Sequence, residues 1–258
     1  MTNETLFTAI IKAASSQPNA RKLRRIERAL ARELLPVFEK QKKRILAKAK
    51  KLFNEKSTTS DKINIVLEVV DDTNDDLVSP ILTQAGRAML FGASYRISSL
   101  NLGVLGIAFD IEHPLAERYL KKDRRVLLES VLPQTTKDEI KPILLNALKT
   151  GQSYDVTSEL IANAHSLSLD RAQMIAVNEI GNAYEEGNLI VMREVQNEGY
   201  AVQKFWSTVG DDRVTPSHTD NEGDGWIGID ETFSGTGDLR APASDNPRCR
   251  CTLLWRFS

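Results

Sequence analysis

Between Leu23 and Leu52 apolar residues recur at threes and fours: Leu23, Ile26, Leu30, Leu34, Val37, Ile45, Ala49 and Leu52, with Lys and Arg between them. That period lines one face of an α-helix, so residues 1–56 read as helical. Pro36 predicts an end or a kink of the first helix, because proline lacks the amide donor and crowds the preceding turn. Residues 54–61, Asn-Glu-Lys-Ser-Thr-Thr-Ser-Asp, form a polar break, with Ser60 and Asp61 as candidate N-caps. A second helix is expected from about Lys62 to Leu77. A third is expected after Pro80, where Ile81, Leu82, Ala85, Met89 and Leu90 share a face.

The texture changes at Leu100 to Ile111, where Gly103 and Gly106 among Val, Ile and Phe predict a strand or an ordered loop. His113-Pro114 then opens another helix. Thr135-Thr136-Lys137-Asp138-Glu139 has the form of a capping box and predicts a helix start there, leading into Ile140–Leu148 and stopping at Gly151. Two further helices are expected over 153–164 and 168–197. The second carries Ala172, Ile175, Ala176, Glu179, Ile180, Ala183 and Tyr184 on one face. After Gly199 the stretch Val202 to Thr208 alternates as a strand does, and Cys249 to Trp255 reads as a closing strand. The expected fold class is α+β. A long helical N-terminal region, residues 1–110, precedes a compact C-terminal domain, residues 111–258, of helices packed on a small, mainly antiparallel sheet.

Charge is balanced in total, at −1, but not along the chain. Arg21 to Lys56 holds fourteen Lys/Arg against four Glu, a net +10, and Ser207 to Ser258 holds five Arg against nine Asp/Glu, a net −4. Opposite signs at the two ends point to different partners. No apolar run reaches the roughly 18 residues of a membrane span, so no membrane partner is expected. Met1-Thr2-Asn3-Glu4-Thr5 lacks the basic start of a signal peptide, and two cysteines make no disulfide framework, which together predict a reducing cytoplasm.

His218, Cys249 and Cys251 are residue types that bind zinc. On a regular strand, however, a Cys-x-Cys pair sets its sulfurs about 7 Å apart, whereas sulfurs sharing one zinc lie within roughly 4 Å. The plainer reading is therefore preferred: two small apolar side chains on a closing strand, with no cofactor, and zinc as the minority alternative. Likewise, His218 as a base with Asp211 or Asp212, and Arg213 as an anion binder, would suit a metal-dependent hydrolase or nuclease. Preferred over this is a structural polar network of Glu179, Asp212, Arg213, Ser217, His218, Asn246 and Arg248, because Asp and Ser in loops bond nearby backbone. Glu179 on its Ala-rich helix is expected to be partly buried and paired with Arg213 or Arg248. The basic front offers Arg21, Lys22, Arg24, Arg25, Lys42, Lys43, Arg44, Lys48, Lys50 and Lys51 as phosphate contacts. Nonspecific contact with double-stranded DNA and docking on an acidic protein surface stand equally open.

Several motifs of the back half occur in a recognisable order. A helix carries Arg171-Ala172-Gln173-Met174-Ile175-Ala176-Val177-Asn178-Glu179, followed by Ala183-Tyr184 and Gly187. Then come Lys204-Phe205-Trp206-Ser207-Thr208, Asp211-Asp212-Arg213-Val214, Ser217-His218, Gly223, Phe233 and Asn246-Pro247-Arg248-Cys249-Arg250-Cys251. Over roughly residues 110–258 this order resembles the phage Mu protein F-like family, the minor head or head-morphogenesis proteins of tailed bacteriophages. Two departures stand out: Val177-Asn178-Glu179 replaces the family's usual Ala-Arg-Thr-Glu, and Pro247-Arg248 interrupts its usual Asn-Cys-Arg-Cys. The resemblance implies a structural role, not an enzymatic one. It implies a virion protein made in the host cytoplasm that acts in head assembly at the portal vertex. The partners it implies are the portal protein and coat or scaffolding proteins, with DNA contact in some members.

Overall fold

A computed structural model of the chain describes residues 18–54, 60–242 and 244–257. The N-terminal pentapeptide and the middle of the 54–61 break lie outside the described residues. Helix α1 spans Pro18–Asn54 with Pro36 inside it, so of the two expectations for Pro36 the helix end is not met. Pro36 is exposed, while Leu34 and Phe38 beside it are fully buried. Packing of that apolar face outweighs the roughly 3 kcal/mol that an interior proline costs a helix.

Helices α2 (Ser60–Asp72) and α3 (Asn74–Ser99) divide at Thr73, earlier than the expected end at Leu77, and Pro80 lies inside α3. The Thr73 hydroxyl donates to the Val69 carbonyl at 2.7 Å and accepts from Gln41 Nε2 at 2.7 Å. A side chain that bonds the preceding turn in this way competes with helix continuation. Residues 100–111 contain no strand. They hold a 3-10 turn, Leu102–Leu105, flanked by left-handed Asn101 and Gly106.

Helix α4 (Pro114–Arg118) passes through a wide π turn (Tyr119–Asp123) into α5 (Arg124–Thr150). Thr135 and Thr136 therefore start no helix. They lie within α5, their hydroxyls bonded back to the carbonyls of Val131 and Leu132. The stop at Gly151 is as expected, with φ 66 and its amide on Ala147 O. Helix α6 (Tyr154–Ala162) is capped by Ser153, and α7 runs Leu169–Asn197.

Strand β1 (Val202–Ser207), helix α8 (Pro216–Gly223), strand β2 (Trp226–Gly228) and strand β3 (Thr252–Phe257) complete the chain. The sheet is antiparallel in the order β2-β1-β3, with Phe205 opposite Trp226 and Trp206 opposite Leu253. Long helices with a small antiparallel sheet near the C-terminus make the fold α+β. The closing strand begins three residues later than expected, so Cys249 and Cys251 precede it in irregular chain.

The described residues form two compact units. One takes those up to Arg28, Gln84–Arg118 and those from Ala176 onward; the other takes Ala29–Thr83 and Tyr119–Ile175. In the second unit the α1 residues Leu30, Leu34, Phe38, Ile45 and Ala49 are buried, as are Ile63, Val66, Leu132, Ile140 and Leu144. Arg171 is buried there and donates to Thr136 Oγ1 (2.6 Å), Ser166 O (2.6 Å) and Leu132 O (2.9 Å). Burial lowers its pKa to about 10. In the first unit, a Cβ at Gly92 would collide with the Tyr184 carbonyl and one at Gly187 with the Met89 carbonyl. Only glycine lets these two stretches of α3 and α7 approach backbone to backbone.

Two outcomes follow for chemical denaturation. Arg171→Met should lower stability by about 2–4 kcal/mol, because three buried acceptors lose their donor. Gly187→Ala should cost about 1–3 kcal/mol or more through overpacking, whereas Gly103→Ala, with nothing near its Cβ position, should change little.

Candidate functional site

The short helix α8 is the hub of the C-terminal loops. Pro216 starts it with a preset φ. Its buried Asn221 accepts from the amides of Gly235 (2.8 Å) and Thr236 (3.1 Å), and Asp224, at its end, accepts from Ser234 N (2.7 Å). Glu222 accepts from the Thr208 amide (3.3 Å) and hydroxyl (2.7 Å), tying α8 to the end of β1.

These bonds fix His218, which is buried and packed against Trp206 with ring centroids 5.9 Å apart. Its Nε2 lies 2.9 Å from Asp245 Oδ1, and Ser217 Oγ donates to Asp245 Oδ2 at 2.8 Å. The hydrogen bond from His218 holds the Asp245 carboxyl below the usual carboxylate range. An ionised carboxylate only accepts, so Nε2 carries a proton, and in the neutral imidazole Nδ1 keeps its lone pair. That lone pair faces Cys251 Sγ at 3.6 Å and Cys249 Sγ at 3.8 Å. Neither cysteine forms a disulfide. The adjacent Cys249 thiol, and then burial, push the Cys251 thiol up. A thiol held in that state is a poor nucleophile.

The cysteine segment is held in its bent path by three anchors. Arg250 makes a two-pronged pair with Glu27 (2.5 and 3.1 Å). The Arg248 amide donates to Asn178 Oδ1 at 2.6 Å, with Arg248 itself at φ 67. Glu185, buried and with its pKa raised by burial, accepts from Thr252 Oγ1 and from the Leu253 amide. A cavity of about 80 Å³ beside this segment is lined by both cysteines, Glu27, Tyr184, Glu185 and Arg250.

Of the residues singled out in the sequence, Ser217 and His218 meet on Asp245, and His218 meets both cysteines. Asp211 pairs locally with Arg213 (2.7 Å) in an exposed loop, and Asp212 is exposed. Glu179 is buried on α7, and the Asn246 carbonyl accepts from the Cys249 amide at 3.2 Å. Asp245, Asn178, Glu185 and Glu27 escaped sequence reading, since each acts on a residue distant in sequence.

Lys204 is a buried cation of this unit, as is Arg96. Its Nζ donates to the carbonyls of Ile229 (2.7 Å) and Leu239 (2.6 Å), and desolvation lowers its pKa to about 8. Here a signal existed: strand alternation puts Lys204 on the same face as the buried Val202 and Trp206.

Residues 138–254 match the family model described as Phage Mu protein F like protein. Over this segment, a little under half of the 258 residues, the chain is similar to that family. No curated protein and no solved structure matches the chain. Among the described residues no helix is long and apolar enough to cross a membrane.

The Lys204 environment has a pH signature. An unfolded lysine near 10.5 holds more protons than one at about 8, so stability should rise with pH across that window. Measured by denaturation from pH 8 to 10.5, the stability of the wild type relative to Lys204→Met should increase with pH. A flat difference would contradict this account of the site.

Proposed function

We propose that the chain is a minor head protein of a tailed phage that assists head assembly at the portal vertex, in the virion, after synthesis in the host cytoplasm. The observation that carries this reading is the family match over residues 138–254. It makes the portal protein, and coat or scaffolding proteins, the expected partners. A hydrolase using His218 with Asp211 or Asp212 gains no support from the geometry, because Asp211 is engaged with Arg213 and both acids sit in an exposed loop.

DNA contact by the basic front is a second element of the proposal. Four of its ten residues already have partners within the protein. Lys22 lies 3.9 Å over the Phe91 ring, Lys42 pairs with Glu39 (3.1 Å), Arg44 pairs with Asp72 (2.8 Å), and Lys48 donates to Ile65 O (3.0 Å). Arg21, Arg24, Arg25, Lys43, Lys50 and Lys51 are exposed and remain available for phosphates.

Because α1 supplies buried Leu30, Leu34 and Phe38, point changes test this better than deletion. Gel-shift affinity for duplex DNA should fall steeply with salt, and Lys43→Glu with Lys50→Glu and Lys51→Glu should weaken binding and flatten the salt slope. Binding that ignores both salt and these changes would rule out the DNA element alone. The assembly role is tested by co-purification of the full chain with the portal protein of its phage, where a stable complex is expected. Absence of binding to portal, coat and scaffold together would reject it.

A further inference from the structure

We propose that His218, Cys249 and Cys251 bind one zinc ion, through His218 Nδ1 and the two thiolates, with water as the fourth ligand. The objection from sequence was that a regular strand separates the sulfurs too far. That objection fails because the segment is not strand: β3 begins at Thr252, Arg248 turns the chain at φ 67, and the Cys251 amide donates to Cys249 Sγ at 3.4 Å. The three donor atoms lie within 4.8 Å of one another.

Tetrahedral zinc with bonds of about 2.3 Å to sulfur and about 2.0 Å to nitrogen sets sulfur and nitrogen roughly 3.5 Å apart. The two observed separations are 3.6 and 3.8 Å. Two sulfurs converge on the single Nδ1 of His218. A cation between the three satisfies them all.

The surroundings supply the second requirement. A metal-binding histidine gives its other ring N–H to a carboxylate, which fixes the ring and its tautomer; Asp245 accepts it from His218 Nε2 at 2.9 Å and is itself held by Ser217. Trp206 Nε1, on the ring packed against His218, is buried without a hydrogen-bond partner. Two sulfurs and one imidazole are soft and borderline donors that suit zinc over magnesium or calcium. A cavity of about 80 Å³ borders both cysteines. The inference stands whether or not the protein acts at the portal.

Elemental analysis of the full chain, purified from zinc-supplemented medium without chelator, should find about one zinc per molecule. Cys249 and Cys251 are the chain's only two cysteines, so thiol counting is unambiguous. In the chelator-treated wild type both thiols should become more reactive, and added zinc should protect both and release two protons per ion. Cys249→Ser with Cys251→Ser should lose the metal. Should that variant fail to fold, Asp245→Asn keeps all three ligands and should weaken zinc binding about 10–100-fold. Protein without zinc whose thiols ignore added zinc, zinc retained in the double serine variant, or stoichiometric copper in its place would each overturn the proposal.

Discussion

The hydrogen bond between His218 Nε2 and Asp245 decides what the C-terminal loops can do. It sets the tautomer of a buried imidazole and so turns a lone pair, not a proton, toward Cys249 and Cys251. The bond is possible only because both partners are positioned by other contacts. His218 rides on a helix pinned through Asn221 and Glu222, and Asp245 is oriented by Ser217. Polar side chains here work beside an apolar core that includes Trp206, Ile229, Phe233, Leu253 and Trp255.

The same logic runs through the rest of this unit. Buried polar groups cost free energy unless bonded, and several that the structure buries work as connectors. Glu185 receives the start of β3, Lys204 gathers the Ile229 and Leu239 carbonyls, and Glu27 takes the Arg250 guanidinium. In the other unit Arg171 plays this part for three acceptors. The motifs that mark the Mu F-like segment thus include several of these connectors: Arg171, Lys204, His218 and the Arg248–Cys251 run.

Much of the fold was legible because it rests on periodicity. The helix faces of α1 and α7 and the alternation of β1 stand in the sequence as they do in the structure. Local breakers misled where packing overruled them. Pro36 is carried by the burial of Leu34 and Phe38, and Thr135 and Thr136 satisfy their hydroxyls inside α5 instead of capping it. Cys249 and Cys251 read as strand in the sequence, whereas the bend before Thr252 depends on Arg248, Asn178 and Glu27, two of which lie far away in sequence. His218 could be singled out as a candidate, but its partner Asp245 could not, because 27 residues of loop separate them.

The bond lengths around a bound metal test this account most directly. X-ray absorption at the zinc edge of the full chain should show two sulfur neighbours at about 2.3 Å and one imidazole nitrogen at about 2.0–2.1 Å, with a light atom completing four. A shell of nitrogen and oxygen only, with no sulfur, would contradict it.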